Sequence, residues 1–290
     1  MDTFQEAIQA AGLQPPDHIE PGRMYRFPGS DKHSSNQAGW CKLFPDGLGG
    51  VFGDWSTGLS EHWQAKRDKP FSLAERASYM CCIEQARKRA EAERQQQYVD
   101  AAKKAETIWS PASRADDDHP YLARKGINAN GARQHGGSLV IPVRSGGELH
   151  SLQFIAKDGS KRFLSGGRIA GGYSLIGDLT KTTLLIAEGF ATGATLHQET
   201  GYPVVVSFNA GNLKAVALAM RALYGQKDMV ICGDNDHSTP GNPGTTKAKE
   251  AALAIRARIA TPIFKAGDSG TDWNDWHQNR RGVSDEINYG

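Results

Sequence analysis

Cysteine is scarce in this chain: four occur among 290 residues (Cys41, Cys81, Cys82 and Cys232), and no two form a C-x-x-C pair. That excludes the signature of a zinc knuckle or of a disulfide framework, so reduced thiols and no zinc are expected. Long apolar runs are missing as well. No stretch reaches the ~20 residues of a membrane span, and the first residues, MDTFQEAIQA, lack the basic start and apolar core of a signal peptide. A cytoplasmic protein with no membrane partner is the expectation. Charge of one sign is also lacking. Lys and Arg number 34 against 32 Asp and Glu, a net charge of +2, so any surface for a polyanion must be local. There is no G-x-x-x-x-G-K-[ST] loop either. Gly241-Asn-Pro-Gly-Thr-Thr-Lys247 has the wrong spacing and reads first as a loop opening a helix.

What is present divides the chain into four expected parts. Residues 1–70 contain, over 20–63, a stretch rich in Gly, Trp and Phe. Its short apolar pieces, Trp40–Phe44 and Gly50–Phe52, are separated by Asp-Gly and Pro turns, which predicts a small β-rich module. Trp40, Phe44, Phe52, Trp55 and Trp63 have two readings, stacking on single-stranded bases or filling a small core, and the core is the expected one. Residues 71–110 open with Ser72-Leu-Ala-Glu75, a capping box, and run to Trp109 in Ala, Glu, Gln, Arg and Lys. This predicts a long connecting helix whose alternating acids and bases form a solvated face.

Residues 111–180 hold short β-like runs at Leu139–Val143, Leu149–Ile155, Arg162–Leu164 and Tyr173–Ile176. Nine Lys or Arg stand against six Asp or Glu over 110–178, so a mildly basic, mixed α+β part is expected. Residues 181–290 are more regular. Leu184–Ala187, Pro203–Ser207, Met229–Cys232 and Pro262–Phe264 are apolar runs that each predict a buried strand, and helix-like segments follow the first three. Strand alternating with helix implies an α/β fold with a Rossmann-like parallel sheet. Cys232, on a central strand, reads as packing.

Side chains just beyond the carboxyl ends of such strands line the ligand crevice. Glu188 follows Leu184–Ala187, with Gly189 leaving room beside it. Asp234 and Asp236 follow Met229–Cys232, and a D-x-D spacing in extended chain can aim both carboxylates at one point. Convergent carboxylates repel one another unless a cation neutralises them. Mg²⁺, with Mn²⁺ as a substitute, suits an all-oxygen set and works with substrate phosphates, which points to phosphoryl or nucleotidyl transfer. Asp272 and Asp275, in Thr271-Asp-Trp-Asn-Asp-Trp276, could complete a second metal site. His237 beside the pair reads as a loop residue, because Mg²⁺ prefers oxygen.

Over 183–277 the E-G, D-x-D and late acidic elements, in that order, resemble a TOPRIM domain, the fold shared by bacterial primases, topoisomerases, OLD-type nucleases and RecR-like proteins. The resemblance implies a catalytic Glu188, Mg²⁺ on Asp234 and Asp236, and a later acidic element in Asp272 and Asp275. Upstream, Val140-Ile-Pro-Val-Arg144, Leu149–Phe154, Lys161-Arg-Phe-Leu-Ser165 and Tyr173-Ser-Leu-Ile-Gly177 resemble the basic subdomain of bacterial-type primases. There an arginine and a lysine contact template or nucleotide phosphate, which implies Arg144 and either Lys161 or Arg162. His119-Pro-Tyr-Leu122 leading to Lys125-Gly-Ile127, Asn209-Ala-Gly-Asn212, and Gly241-Asn-Pro-Gly244 with Lys247 are most similar to plasmid and phage primases of the TraC-like and P4-like kind.

What this resemblance implies is a DNA primase for plasmid, phage or mobile-element replication. It would make short RNA primers on single-stranded DNA from NTPs, with a separate replicative helicase as partner. Apart from the resemblance, the second reading of the Gly241–Lys247 loop is that the helix start and Lys247 assist a triphosphate, because free N–H groups and the helix dipole attract anions. A TOPRIM nuclease and a non-catalytic nucleic-acid-binding accessory protein are the alternatives. One departure is that residues 20–63 lack the zinc ligands often found at the start of such primases.

Overall fold

The computed structural model describes residues 3–66, 71–265 and 267–287, without the side chains of 281–287. The chain divides into two compact units, Met1–Gln97 and Tyr98–Gly290.

The first unit is a small sheet covered on both faces. Helix α1 (Phe4–Ala10) starts at a capping box in which Thr3 and Glu6 satisfy each other's backbone N–H groups. Strands β1 (Met24–Phe27), β2 (Gly39–Leu43), β3 (Gly49–Asp54) and β4 (Leu59–Gln64) follow as an antiparallel meander. Successive side chains alternate between the faces. Phe27, Cys41 and Phe52 meet Phe4, Ile8 and Leu13, whereas Trp40, Phe44 and Val51 meet Ile83, Ala86 and Ala90 of α2 (Leu73–Trp109). Glycine lets the rings lie against the backbone: a Cβ on Gly50 would stand 2.6 Å from the Phe4 ring.

Trp40, Phe44 and Phe52 are therefore core, as expected. Trp63 packs on Phe4, and Trp55 carries the Arg26 guanidinium 3.3 Å over its ring. A buried carboxylate secures the turns, since Asp54 accepts from the backbone N–H groups of Ser30 (2.8 Å) and Ser56 (2.7 Å) and from the Ser56 hydroxyl. Helix α2 begins at the predicted box, Ser72 with Glu75, and its exposed side carries pairs such as Arg89–Glu93.

The second unit contains two sheets. Strands β5 (Ser113–Arg114), β6 (Arg133–His135), β7 (Ser138–Ser145), β8 (Glu148–Ile155) and β9 (Lys161–Phe163) pair antiparallel in that order, with helix α3 (Pro120–Lys125) between the first two in sequence. The other sheet takes β10 (Ser174–Ile176), β11 (Thr183–Ala187), β12 (Val204–Val206), β13 (Asp228–Cys232) and β14 (Arg258–Ala260) in the order β10-β12-β11-β13-β14. All neighbours are parallel except β10, which runs antiparallel to β12. Helices α4 (Phe190–Thr200), α5 (Ala210–Leu223), α6 (Pro243–Ile255) and α7 (Trp273–Ile287) complete the unit.

The alternation in β11 shows why both faces are buried. Leu184 and Ile186 join the side chains of α5 and α6, whereas Leu185 and Ala187 join those of α4 and of β7. The expected α/β class with a mostly parallel sheet is what forms.

One strand falls elsewhere than expected. The last strand is Arg258–Ala260, and Pro262–Phe264 is irregular, with Ile263 exposed. Pro262 has no N–H to give a ladder, so pairing with β13 ends before it.

Candidate active site at the strand ends of the parallel sheet

After β11 the chain places β12 on one side of it and β13 on the other, so the crevice beyond the β11 and β13 carboxyl ends lies at a topological switch point. Glu188 and Asp234 enter there. Asp236 follows at a tight turn, where the His237 N–H donates to the Asn235 carbonyl, and Asp272 arrives just ahead of α7. The charges of Asp272, Asp236 and Lys161 are felt at both Glu188 and Asp234, and Asp234 also feels Glu188, so five charged groups share one neighbourhood.

Three of the four acids are held by the start of a helix. The backbone N–H of Ala210, first residue of α5, lies close enough to Glu188 to favour its carboxylate. That of Gly244 in α6 donates to Asp236 Oδ2 at 2.9 Å, and that of Asp275 in α7 to Asp272 Oδ1 at 2.8 Å. Free N–H groups and the helix dipole favour a carboxylate there.

Asp234 has no such donor. Its Oδ1 is buried without a hydrogen-bond partner among the described residues. Burial, then the charges of Glu188, Asp272 and Asp236, push its carboxyl up to about 8. Burial also raises Glu188 and Asp272, and in each the helix N–H works against it. The cluster therefore has three acids beside helix starts and a fourth, Asp234, that is strained electrostatically, a strain that a nearby positive charge would relieve.

Of the cations proposed from sequence, Lys161 is the one whose charge reaches Glu188 and Asp234. It sits on β9 opposite Ile155, while its neighbour Arg162, opposite Phe154, lays its guanidinium 4.5 Å over the Phe154 ring. Arg144 donates to the Gly147 carbonyl at the β7–β8 turn, beside a register shift at Val143. Lys247 pairs with Glu250 on α6 at 2.9 Å. The N-terminus of that helix is already taken by Asp236 and by Asn242, which accepts from Thr245. Asp275 accepts from Lys125 Nζ at 3.0 Å and from the Thr271 N–H at 3.1 Å. His237 lies against Phe264.

Two amides near the site were not singled out from sequence for a role. Asn212 is buried. It donates to Gly172 (2.8 Å) and Ser207 (2.9 Å) and accepts from the Gly171 N–H (2.8 Å), fixing the chain before β10 to the end of β12. Phe208, with φ +72°, makes the left-handed bend that starts α5 beside Glu188. The other amide is Asn274, fully buried between the two late acids. The sequence signal for each was its place inside an already noted motif.

A doubly wound sheet thus carries acids at the ends of its central strands, and the charge of a lysine from the neighbouring sheet reaches them. Residues 183–282 match the family model described as Toprim domain, and this part of the chain is a Toprim domain. Over its length the chain is similar to DNA primase TraC of Escherichia coli, at 32% identity over 288 residues, covering 92% of this chain and 27% of that protein. A second E. coli protein of the same name is 30% identical over 295 residues, covering 92% of this chain and 20% of that one. The chain thus spans a minor part of the length of the curated relatives it matches. Among solved structures, the primase fragment of the bacteriophage T7 primase-helicase protein superposes with a TM-score of 0.43 at 16% identity, covering 91% of this chain and 99% of the other. Among the described residues no helix is long and apolar enough to cross a membrane.

Proposed function

We propose that this chain is a DNA primase segment that joins ribonucleotides on a single-stranded DNA template, as the names of its TraC relatives suggest. The observation that carries the reading is Lys161. The antiparallel sheet delivers a cation to the acids of the Toprim sheet, so residues 111–180 and 181–290 build one site able to hold a phosphate chain against carboxylates.

Asp234, Asp236 and Glu188, with Asp272 at the edge, supply a donor set made only of oxygen, and the unpartnered buried Oδ1 of Asp234 fits a hard divalent cation such as Mg²⁺ or Mn²⁺. Among the described residues no three such side chains are gathered tightly enough to coordinate an ion as they stand, so holding it requires the carboxylates to turn inward. When bound, such a cation offsets charge developing on phosphate.

In the reaction the 3′-hydroxyl of the primer attacks the α-phosphorus of the incoming NTP. A P–O bond to the primer forms, the bond to pyrophosphate breaks, and the hydroxyl proton leaves to a base. Glu188, with its carboxyl raised by burial, is suited to receive that proton. Lys161 steadies the phosphate chain, while Arg144, Arg162 and Lys247 would contact template or triphosphate only on leaving their present partners, the Gly147 carbonyl, the Phe154 ring and Glu250. The helicase that unwinds the template would be a separate protein or segment.

The test uses labelled NTPs, Mg²⁺ and single-stranded circular DNA with wild-type and Glu188→Gln chains. Labelled oligonucleotides of defined length from the wild type and their loss in the variant are expected. Metal-dependent nicking without incorporation would replace this reading by a nuclease.

A further inference from the structure

The late acidic pair has the spacing of a second metal site, but the structure fills it differently. Lys125 closes α3 and points its ammonium at Asp275 Oδ1, 3.0 Å away, with both side chains about three-quarters buried. The same ammonium charge is felt at Asp272. We propose that Lys125 is a resident cation, its ammonium taking the place of a second divalent ion at Asp272 and Asp275, so that the site takes one divalent ion, at Glu188, Asp234 and Asp236. This rests on the metal reading of those three acids.

Four observations hold the lysine there. Asn274 Nδ2 donates to the Lys125 carbonyl at 2.7 Å and to Thr195 Oγ1 at 2.9 Å. Because a carbonyl only accepts, the amide orientation is fixed. Gln278 Nε2 donates to the Arg124 carbonyl at 3.0 Å. Gln198 accepts from the Asn128 N–H at 2.8 Å, so α4 grips the chain just past the end of α3. Gly126 ends α3 in the left-handed region, as a helix C-cap requires. Side chains of α4 and α7 are thus stitched to the last turn of α3, and Lys125 reaches Asp275 from a fixed base.

The other oxygen of Asp275 is committed to Thr271, and Asp272 Oδ1 to the start of α7. Tyr121, buried on α3, lies near enough to feel both acids. Little room remains for an ion that keeps several waters. Asn274 is a positioning residue in this scheme, acting through Lys125.

The experiment counts bound Mn²⁺ on the full chain by the loss of its free-ion electron paramagnetic resonance signal, with no nucleotide or DNA. One ion is expected on wild type and on Lys125→Arg, one of unchanged affinity on Asp275→Asn, and two on Lys125→Met, with circular dichroism confirming that each is folded. Asn274→Asp, nearly isosteric but opposing a carboxylate to the Lys125 carbonyl, should loosen the lysine and admit a weaker second ion. Two ions on wild type with one lost in Asp275→Asn would overturn the proposal, as would a single ion on folded Lys125→Met. If Lys125→Met does not fold, Asp275→Asn decides: loss of the one ion refutes the assignment. Binding of none would refute the metal reading beneath it, an outcome separate from any failure of primer synthesis.

Discussion

Replacing Asp234 by Asn should make the metal-free protein more stable. In the folded chain the Asp234 carboxyl is pushed from an ordinary 3.8 up to about 8, chiefly by burial and then by its acidic neighbours. Between those values the folded state keeps a proton that the unfolded state has lost, so stability falls as pH rises through the window and the whole penalty is present above about 8. Four pH units at about 1.4 kcal/mol each set an upper figure of about 5–6 kcal/mol. Water reaches part of the side chain, and screening brings the working figure to about 3 kcal/mol. Asn keeps the shape and carries no charge.

For a unit of this size that corresponds to a rise of about 6–12 °C in Tm at pH 8 in EDTA, shrinking toward zero near pH 4–5. Thermal melts followed by circular dichroism across pH 4–9 would show it. Adding Mg²⁺ should raise the wild type and leave Asp234→Asn nearly unmoved, since only the former regains a counter-charge. An Asp234→Asn chain that melts at or below wild type at pH 8 in EDTA would refute the account of the site as a strained cluster.

Three further outcomes follow from the geometry. Lys161→Ala should lower primer synthesis at least about tenfold, while Arg162→Ala, whose guanidinium rests on Phe154, should change it less than about threefold; steady-state incorporation of labelled NTPs decides. Asn212→Ala leaves two carbonyls and an N–H unpaired and should cost about 2–4 kcal/mol in urea denaturation, with activity falling because the chain before β10 loosens. Asp236→Ala and Asp236→Asn both relieve repulsion on Asp234, but only Asn can still accept from Gly244. Their stabilities should therefore differ by about 1 kcal/mol, the size of a lost helix cap.

Much of this site was legible because its signals are local. Apolar runs ending in Glu188 or in Asp234-x-Asp236 state both the strand and the direction of the side chain that follows it. The long α2 helix was announced by Ser72 and Glu75 in the same way. What depends on register was not legible. Lys161 and Arg162 are adjacent, and only the pairing of β9 with β8 sends one toward the acids and the other onto Phe154. Pro262–Phe264 has the apolarity of a strand, yet the missing N–H of Pro262 moved the strand back to Arg258–Ala260. The partnership of Asp275 with Lys125 joins residues 150 positions apart, and no spacing rule reaches across that distance.

The helix starts that hold Glu188, Asp236 and Asp272 have a bearing on how such a site changes over generations. Each of these acids serves the architecture and, under the proposed function, the chemistry as well, and the two duties tolerate different replacements. Gln or Asn can still hold the helix but not a divalent ion; small apolar residues can do neither. A descendant that lost its activity would therefore be expected to drift first to amides at 188, 236 and 272, keeping the fold as a binding scaffold. Asp234, which anchors no helix, would be free to take any small residue. The pattern of substitutions at these four positions would distinguish a silent descendant from a working one before any assay was run.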